Sequence, residues 1–410
     1  MKRYTTKLTA ALSTLALAGA LSLPTNAAVV LGGADGWEVS YGGFINLFYT
    51  QSDFEWIAPD AAGNTSEDSA HLNEGLLPAF HTMTVKSPEV NGLTGTGQIT
   101  FAVDSSNNKR GRLNKNGTFG TDSNIDMREV FFNVAGDFGT ISVGRTLALF
   151  GRQSILKDIT LFGMGALVGP DGSGTGLGRI GYGYVYPDFR TRLVYQTPDM
   201  NGFQLSVGIF DPQEPGGLLG TAAGWFSETD TPQFQAEATF NSAFEGGNFS
   251  GWAGFIWQEQ EITGSPAGGE GDIETVGWNI GAEVSAEGFG ITGQYYDGEA
   301  LGVILHNSGG GFGFNCHAMG CTEADNDGFY VQASYTFNGT TKIGGGYGES
   351  RQDANMTYNI DPHEGSLWTV GVYHDVNSWL KVIAEYGNYD HTILNQKDVD
   401  TFSIGGFLLW

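Results

Sequence analysis

The chain has 410 residues, with Asp+Glu 45 against Lys+Arg 19 and a formal charge of −26. That balance repels phosphate and argues against nucleic acid as a partner. With 40% hydrophobic and 13% aromatic residues the chain has ample material for burial, so disorder is excluded; 2 Cys rule out a disulfide-stapled scaffold, and 64 Gly disfavour a helical enzyme.

The amino terminus reads as an export signal. Lys2, Arg3 and Lys7 precede an apolar run from Leu8 to Leu23, and Pro24-Thr25-Asn26-Ala27 supplies small residues suited to cleavage. The expected organisation is a signal peptide at 1–27 and one domain at 28–410. Beyond it no apolar stretch reaches about 18 residues, the length of a helical span. An exported chain can still enter a membrane as a closed barrel.

Strict alternation is the main signal along the rest of the chain. In 37–49, Trp37, Val39, Tyr41, Gly43, Ile45, Leu47 and Tyr49 alternate with Glu38, Ser40, Gly42, Phe44, Asn46 and Phe48. The same period runs through 93–104, 203–209, 329–337 and 380–387, and ends on Phe402, Ile404, Gly406, Leu408 and Trp410. The second set is mainly Ser, Thr, Gln, Gly, Glu and Lys. A soluble sandwich needs strands of about 5–6 residues. These run to roughly 9–13, the length of a tilted strand crossing a bilayer.

The predicted strands are 37–50, 76–87, 93–105, 124–135, 139–149, 189–197, 202–210, 233–241, 248–260, 273–285, 289–298, 328–337, 340–350, 366–375, 379–390 and 399–410. An even number allows closure with no free edge. Short turns rich in Gly, Asn, Asp and Pro alternate with long connections at about 51–75, 106–123, 150–188, 211–232, 261–272, 299–327, 351–365 and 391–398. Short turns on one rim and long loops on the other fit an outer-membrane barrel. The expected fold is all-β, a transmembrane antiparallel barrel of about sixteen strands.

Three stretches carry a family resemblance: Trp37-Glu38-Val39-Ser40-Tyr41-Gly42-Gly43 opening the first strand, Asp137-Phe138-Gly139-Thr140-Ile141-Ser142-Val143-Gly144-Arg145 leading into the third long connection, and the terminal aromatic Trp410. The chain resembles the Gram-negative general porins, trimeric and sixteen-stranded; that family usually ends in Phe. The resemblance implies a third loop folded into the lumen, a homotrimer, and loop carboxylates facing basic wall residues. Such a transverse field orients dipolar solutes and sets ion preference.

The third loop, 150–188, is the longest connection, and Ser154 to Phe162 place apolar residues at helical spacing. Arg145, Arg152, Lys157, Arg179, Arg190 and Arg192 cluster around it with Asp158, Asp171 and Asp188. The expected constriction comprises Arg145, Arg152, Lys157, Asp158, Asp171, Arg179, Arg190 and Arg192, with Arg145 on the wall and Asp158 on the loop. Alternation over 140–145 nevertheless groups Arg145 with Ile141 and Val143, the lipid set. A bulge would shift the phase; otherwise Arg145 lies at the loop junction or on the rim. Parity places Glu237, Glu283, Lys342, Lys381 and Glu385 on the lumen wall.

Cys316 and Cys321 in the sixth loop suggest a disulfide in an oxidising compartment; a metal pair with His317 is the alternative. Acidic residues crowd the outer loops, among them Asp53, Glu55, Asp60, Glu67, Asp68 and Glu74, and their excess points to cation preference. Asp325-Asn326-Asp327-Gly328 has calcium-like spacing without the rest of an EF-hand. No cofactor is expected, apart from Ca²⁺ or Mg²⁺ held loosely at these carboxylates and bridging to lipopolysaccharide. Gly172 to Gly178 lacks the ending of a phosphate loop, and no catalytic triad is visible. The expected function is a passive diffusion channel for small hydrophilic solutes across the bacterial outer membrane, not an enzyme. An outer-membrane barrel enzyme or adhesin is the alternative, with His81 and His374 near the lipid-facing parity; a soluble β-sandwich is weaker.

Overall fold

A computed structural model describes residues 28–59, 63–103, 125–170, 174–215, 226–265, 268–304, 313–317, 319–354 and 362–410. The expected signal peptide and Asp171 lie outside the described residues.

Sixteen antiparallel strands close into a barrel. In chain order they are β1 Glu38–Trp56, β2 Ala79–Lys86, β3 Thr94–Val103, β4 Ile125–Gly136, β5 Gly139–Leu147, β6 Phe189–Gln196, β7 Phe203–Phe210, β8 Gln233–Phe244, β9 Gly247–Gly264, β10 Gly271–Ala286, β11 Phe289–Glu299, β12 Asp325–Phe337, β13 Thr341–Gln352, β14 His363–Asp375, β15 Leu380–His391 and β16 Gln396–Leu409. Each pairs with its sequence neighbour. Closure comes from β1 against β16, in register from Phe44↔Leu409 to Asp53↔Asp400. A short strand, Val29–Gly32, extends the seam by pairing with the start of β1. No described helix is long and apolar enough to cross a membrane.

The turns follow from their residues. Asn91-Gly92 and Asn201-Gly202 join strands through two residues, and all four have positive φ. Primed hairpin turns require that geometry, which Asn and Gly adopt at little strain.

Alternation separates two environments as the sequence implies. On β1, Ile45, Leu47 and Tyr49 are exposed on the outer face, whereas Asn46, Phe48 and Thr50 are buried inside. On β16, Phe402, Ile404 and Leu408 point out, and Thr401, Ser403 and Phe407 point in. An outer surface of exposed Val, Ile, Leu and aromatics suits lipid contact, not a soluble monomer.

Several strands outrun their expected ends. β1 continues to Trp56, and a strand at Ser66–Asn73 pairs with its outer half, so much of the expected first loop is sheet. β9 spans 18 residues and β10 spans 16. Beyond the membrane both faces are polar, so the alternation that marks a strand fades. Asp325-Asn326-Asp327-Gly328 is likewise the start of β12.

Candidate functional site

The third loop leaves β5 at Leu147, crosses the barrel interior and returns at Phe189. Gln235 on β8 fixes its start, its Oε1 accepting from Leu149 N and Phe150 N, each at 2.8 Å. A one-and-a-half-turn helix, α1 at Arg152–Lys157, and a 3-10 turn at Ile159–Phe162 follow. Their apolar residues find a wall. Phe162 packs edge-on against Phe407 at 5.4 Å between ring centroids, and Phe44 and Phe48 surround the same ring. Together with Leu161, Met164 and Leu177 from the loop, these form a dry cluster inside one side of the barrel.

Polar anchors hold the rest. Glu385 on β15 accepts from Met164 N at 2.5 Å and Gly165 N at 3.2 Å, and from the Tyr373 hydroxyl. A Cβ at position 163 would overlap the Glu385 carboxylate, so a larger residue there displaces this anchor. Arg152 pairs with Glu237 on β8. Ser154 Oγ donates to Gln294 on β11 at 3.2 Å, and Tyr330 on β12 donates to Ser154 O at 2.9 Å. Asp158 closes the loop on itself. It accepts from Thr160 N at 3.0 Å, Arg179 N at 3.1 Å, Arg179 Nη1 at 2.6 Å and Tyr184 Oη at 3.0 Å. Burial, then the charge of Asp158, pushes the Tyr184 phenol well above its ordinary range, so it stays a neutral donor.

The expected constriction residues therefore divide. Arg179 and Asp158 form a sealed pair within the loop, both side chains 0% exposed, and neither faces Arg145. Arg145 keeps its outward parity: the register of β5 with β4 and β6 is unbroken, and its partners are Val130 and Thr191 on the outer face. Arg192 is buried inside and donates to Leu147 O at 2.6 Å. Arg190 lies nearer the outer mouth, bonded to Gln213 and 3.8 Å from Asp188. Lys157 meets Glu283 on β10 at 2.8 Å, and both side chains reach water, 25% and 31% exposed.

Below the loop, on the rim of short turns, a cavity of about 530 Å³ opens. Lys157 and Phe162 form its loop side. Glu283, Lys342, Lys381 and Asp375 line its wall with Thr292, Ser334 and Thr336. Lys381 pairs with Asp375. Of the five residues assigned to the lumen wall by parity, Glu237 and Glu385 are consumed as loop anchors, and the other three border this cavity.

A second inward segment escaped the sequence reading. Ala300, Leu301, Val303 and Ile304 of the sixth loop are buried in the outer mouth. Tyr186 N of the third loop donates to Ile304 O at 2.9 Å. Asn326 clasps the segment, its Oδ1 accepting from Leu301 N at 3.0 Å and Gly302 N at 3.1 Å. The apolar run Ala300-Leu301-Gly302-Val303-Ile304 was the available signal. The same loop ends in a hairpin of Phe314–His317 with Gly320–Glu323, closed by a Cys316–Cys321 disulfide. Among the described residues no three His, Cys, Asp or Glu are placed to hold a metal ion. His81 bonds the Tyr41 hydroxyl at 2.7 Å and His374 the Thr341 hydroxyl at 2.8 Å.

A closed barrel, apolar outside and polar within, with its longest loop folded into the lumen, defines an outer-membrane channel of the porin class. Comparison with known proteins agrees. The sequence model of the Gram-negative porin family matches residues 11–394, and the chain belongs to that family. No curated protein matches the chain in sequence. Among solved structures, the outer membrane channel DcaP of Acinetobacter baumannii superposes with a TM-score of 0.65 at 12% identity, over 93% of this chain and 100% of that one. The anion-selective porin from Comamonas acidovorans gives 0.61 at 13% identity, over 91% and 100%. The trimer form of OmpT, an outer membrane protein of Vibrio cholerae, gives 0.51 at 15% identity, over 92% and 100%. At such identities the likeness concerns the fold. The family and the fold place the chain in the outer membrane.

Proposed function

We propose that the protein is a passive diffusion channel for small hydrophilic solutes and ions, without catalysis, working as a homotrimer in contact with lipid and lipopolysaccharide. The observation that carries this is the pairing of a lipid-suited exterior with a polar interior narrowed by the third loop and widening into a water-accessible cavity. The trimer form of the Vibrio protein supports the assembly.

The channel favours cations, and the preference arises at the outer mouth rather than at mid-barrel. Mid-barrel charges are largely paired, as in Arg152–Glu237 and Arg179–Asp158. On the outer rim Asp53 stands in register between Asp68 and Asp400, an arrangement of like charges that attracts counter-cations. Exposed rim charges are screened by salt, so the preference weakens as ionic strength rises.

Liposome swelling tests the proposal. Vesicles carrying the protein swell in small sugars at rates that fall with solute size. Vesicles that swell no faster than protein-free controls in any sugar overturn it.

A further inference from the structure

We propose that the cavity on the short-turn rim is a subsite for small oxyanions, carboxylate or phosphate, with Lys342 as its primary contact. This rests on the channel reading and specifies a solute class for it.

Among the cations that line this cavity, pairing singles out Lys342. Among the described residues, Arg152 is paired with Glu237, Arg179 with Asp158, Lys157 with Glu283, Lys381 with Asp375, Arg128 with Asp126 and Arg190 with Asp188. Arg192 donates to a main-chain carbonyl. Lys342 has neither an ion pair nor a hydrogen bond, is exposed, and lines the cavity of about 530 Å³.

Its surroundings suit an anion. Glu283 and Asp375, the nearest wall carboxylates, are already held by Lys157 and Lys381, and Asp158 is neutralised by Arg179. Glu287, on the turn that joins β10 to β11, lines the same cavity. Thr336 stands directly across from Lys342 on β12, and Ser334 lines the same cavity. An ammonium with three donors beside hydroxyls matches the acceptor oxygens of a carboxylate or phosphate. Lys381 adds a second positive charge on β15. The outer mouth thus clusters carboxylates, whereas the inner vestibule offers one unpaired ammonium among paired charges.

The test uses inorganic phosphate as the probe and the full chain in planar bilayers. At constant ionic strength, phosphate added to both sides lowers the chloride current of the wild type saturably. Lys342→Gln raises the half-saturating concentration about tenfold, the loss of one charged contact, and moves the reversal potential toward cations; Lys342→Arg keeps the response. Identical phosphate titrations for wild type and Lys342→Gln, or no phosphate response in the wild type, overturn the subsite while leaving a conducting channel. Absence of conductance in both proteins instead overturns the channel reading itself.

Discussion

Oδ1 of Asp158 accepts from Nη1 of Arg179 at 2.6 Å, with both side chains fully buried in the third loop. The pair ties the end of α1 to a segment 21 residues further on, and Arg179 reaches the wall through Thr369 on β14. Its charges cancel before they reach the water path. Among the described residues the loop's charges therefore divide between buried pairs, Asp158–Arg179 and Arg152–Glu237, and partly exposed ones, Lys157–Glu283 and Asp188–Arg190.

Asp158→Asn leaves a buried guanidinium without its counter-charge. Breaking one side of a buried pair costs about 3 kcal/mol or more. The expected outcome is a lower melting temperature by circular dichroism and a noisier open channel, with a reversal potential matching the wild type. A shifted reversal potential with unchanged melting would place Asp158 at the water path.

Lys157 and Glu283 behave in the opposite way. An exposed pair contributes about 1 kcal/mol or less, so Glu283→Gln and Lys157→Gln melt close to the wild type. Each changes the charge that borders the cavity beneath the loop. Reversal potentials in a salt gradient move toward anions for Glu283→Gln and toward cations for Lys157→Gln, and both shifts shrink at high salt.

Asn326 governs the sixth loop. Asn326→Leu leaves the Leu301 and Gly302 N–H groups without their acceptor, at about 1–3 kcal/mol for each buried group. The 300–304 segment then leaves the outer mouth. Hydrogen exchange at Leu301 and Gly302 accelerates and unit conductance rises, while the barrel strands keep their protection. Unchanged exchange at those amides contradicts the clasp.

The barrel was legible because lipid enforces a period of two. All sixteen strands follow from it, since Ile45, Leu47 and Tyr49 must face oil while Asn46 and Thr50 face inward. The strand extensions beyond the bilayer were not legible, because Gln51, Ser52 and Asp53 alternate polar with polar. The seat of the third loop left a trace: Phe44, Phe48 and Phe407 break the polar set of the lumen, and each packs beneath the loop. The partner of Asp158 left none. Asp158 and Arg179 lie in irregular chain, where no repeat relates their positions. Arg145 shows the value of parity over analogy, since alternation grouped it with Ile141 and Val143 and the structure keeps it there. The sixth loop was hidden by the expectation that outer loops are solvated.

Single-channel recording on the purified full chain bears most directly on whether water and ions cross this barrel. An open channel gives discrete, ohmic current steps at low voltage, rising in proportion to bulk salt. A protein that inserts with the protease resistance of a folded barrel, yet passes no current above the bare bilayer at any salt concentration, contradicts the channel reading.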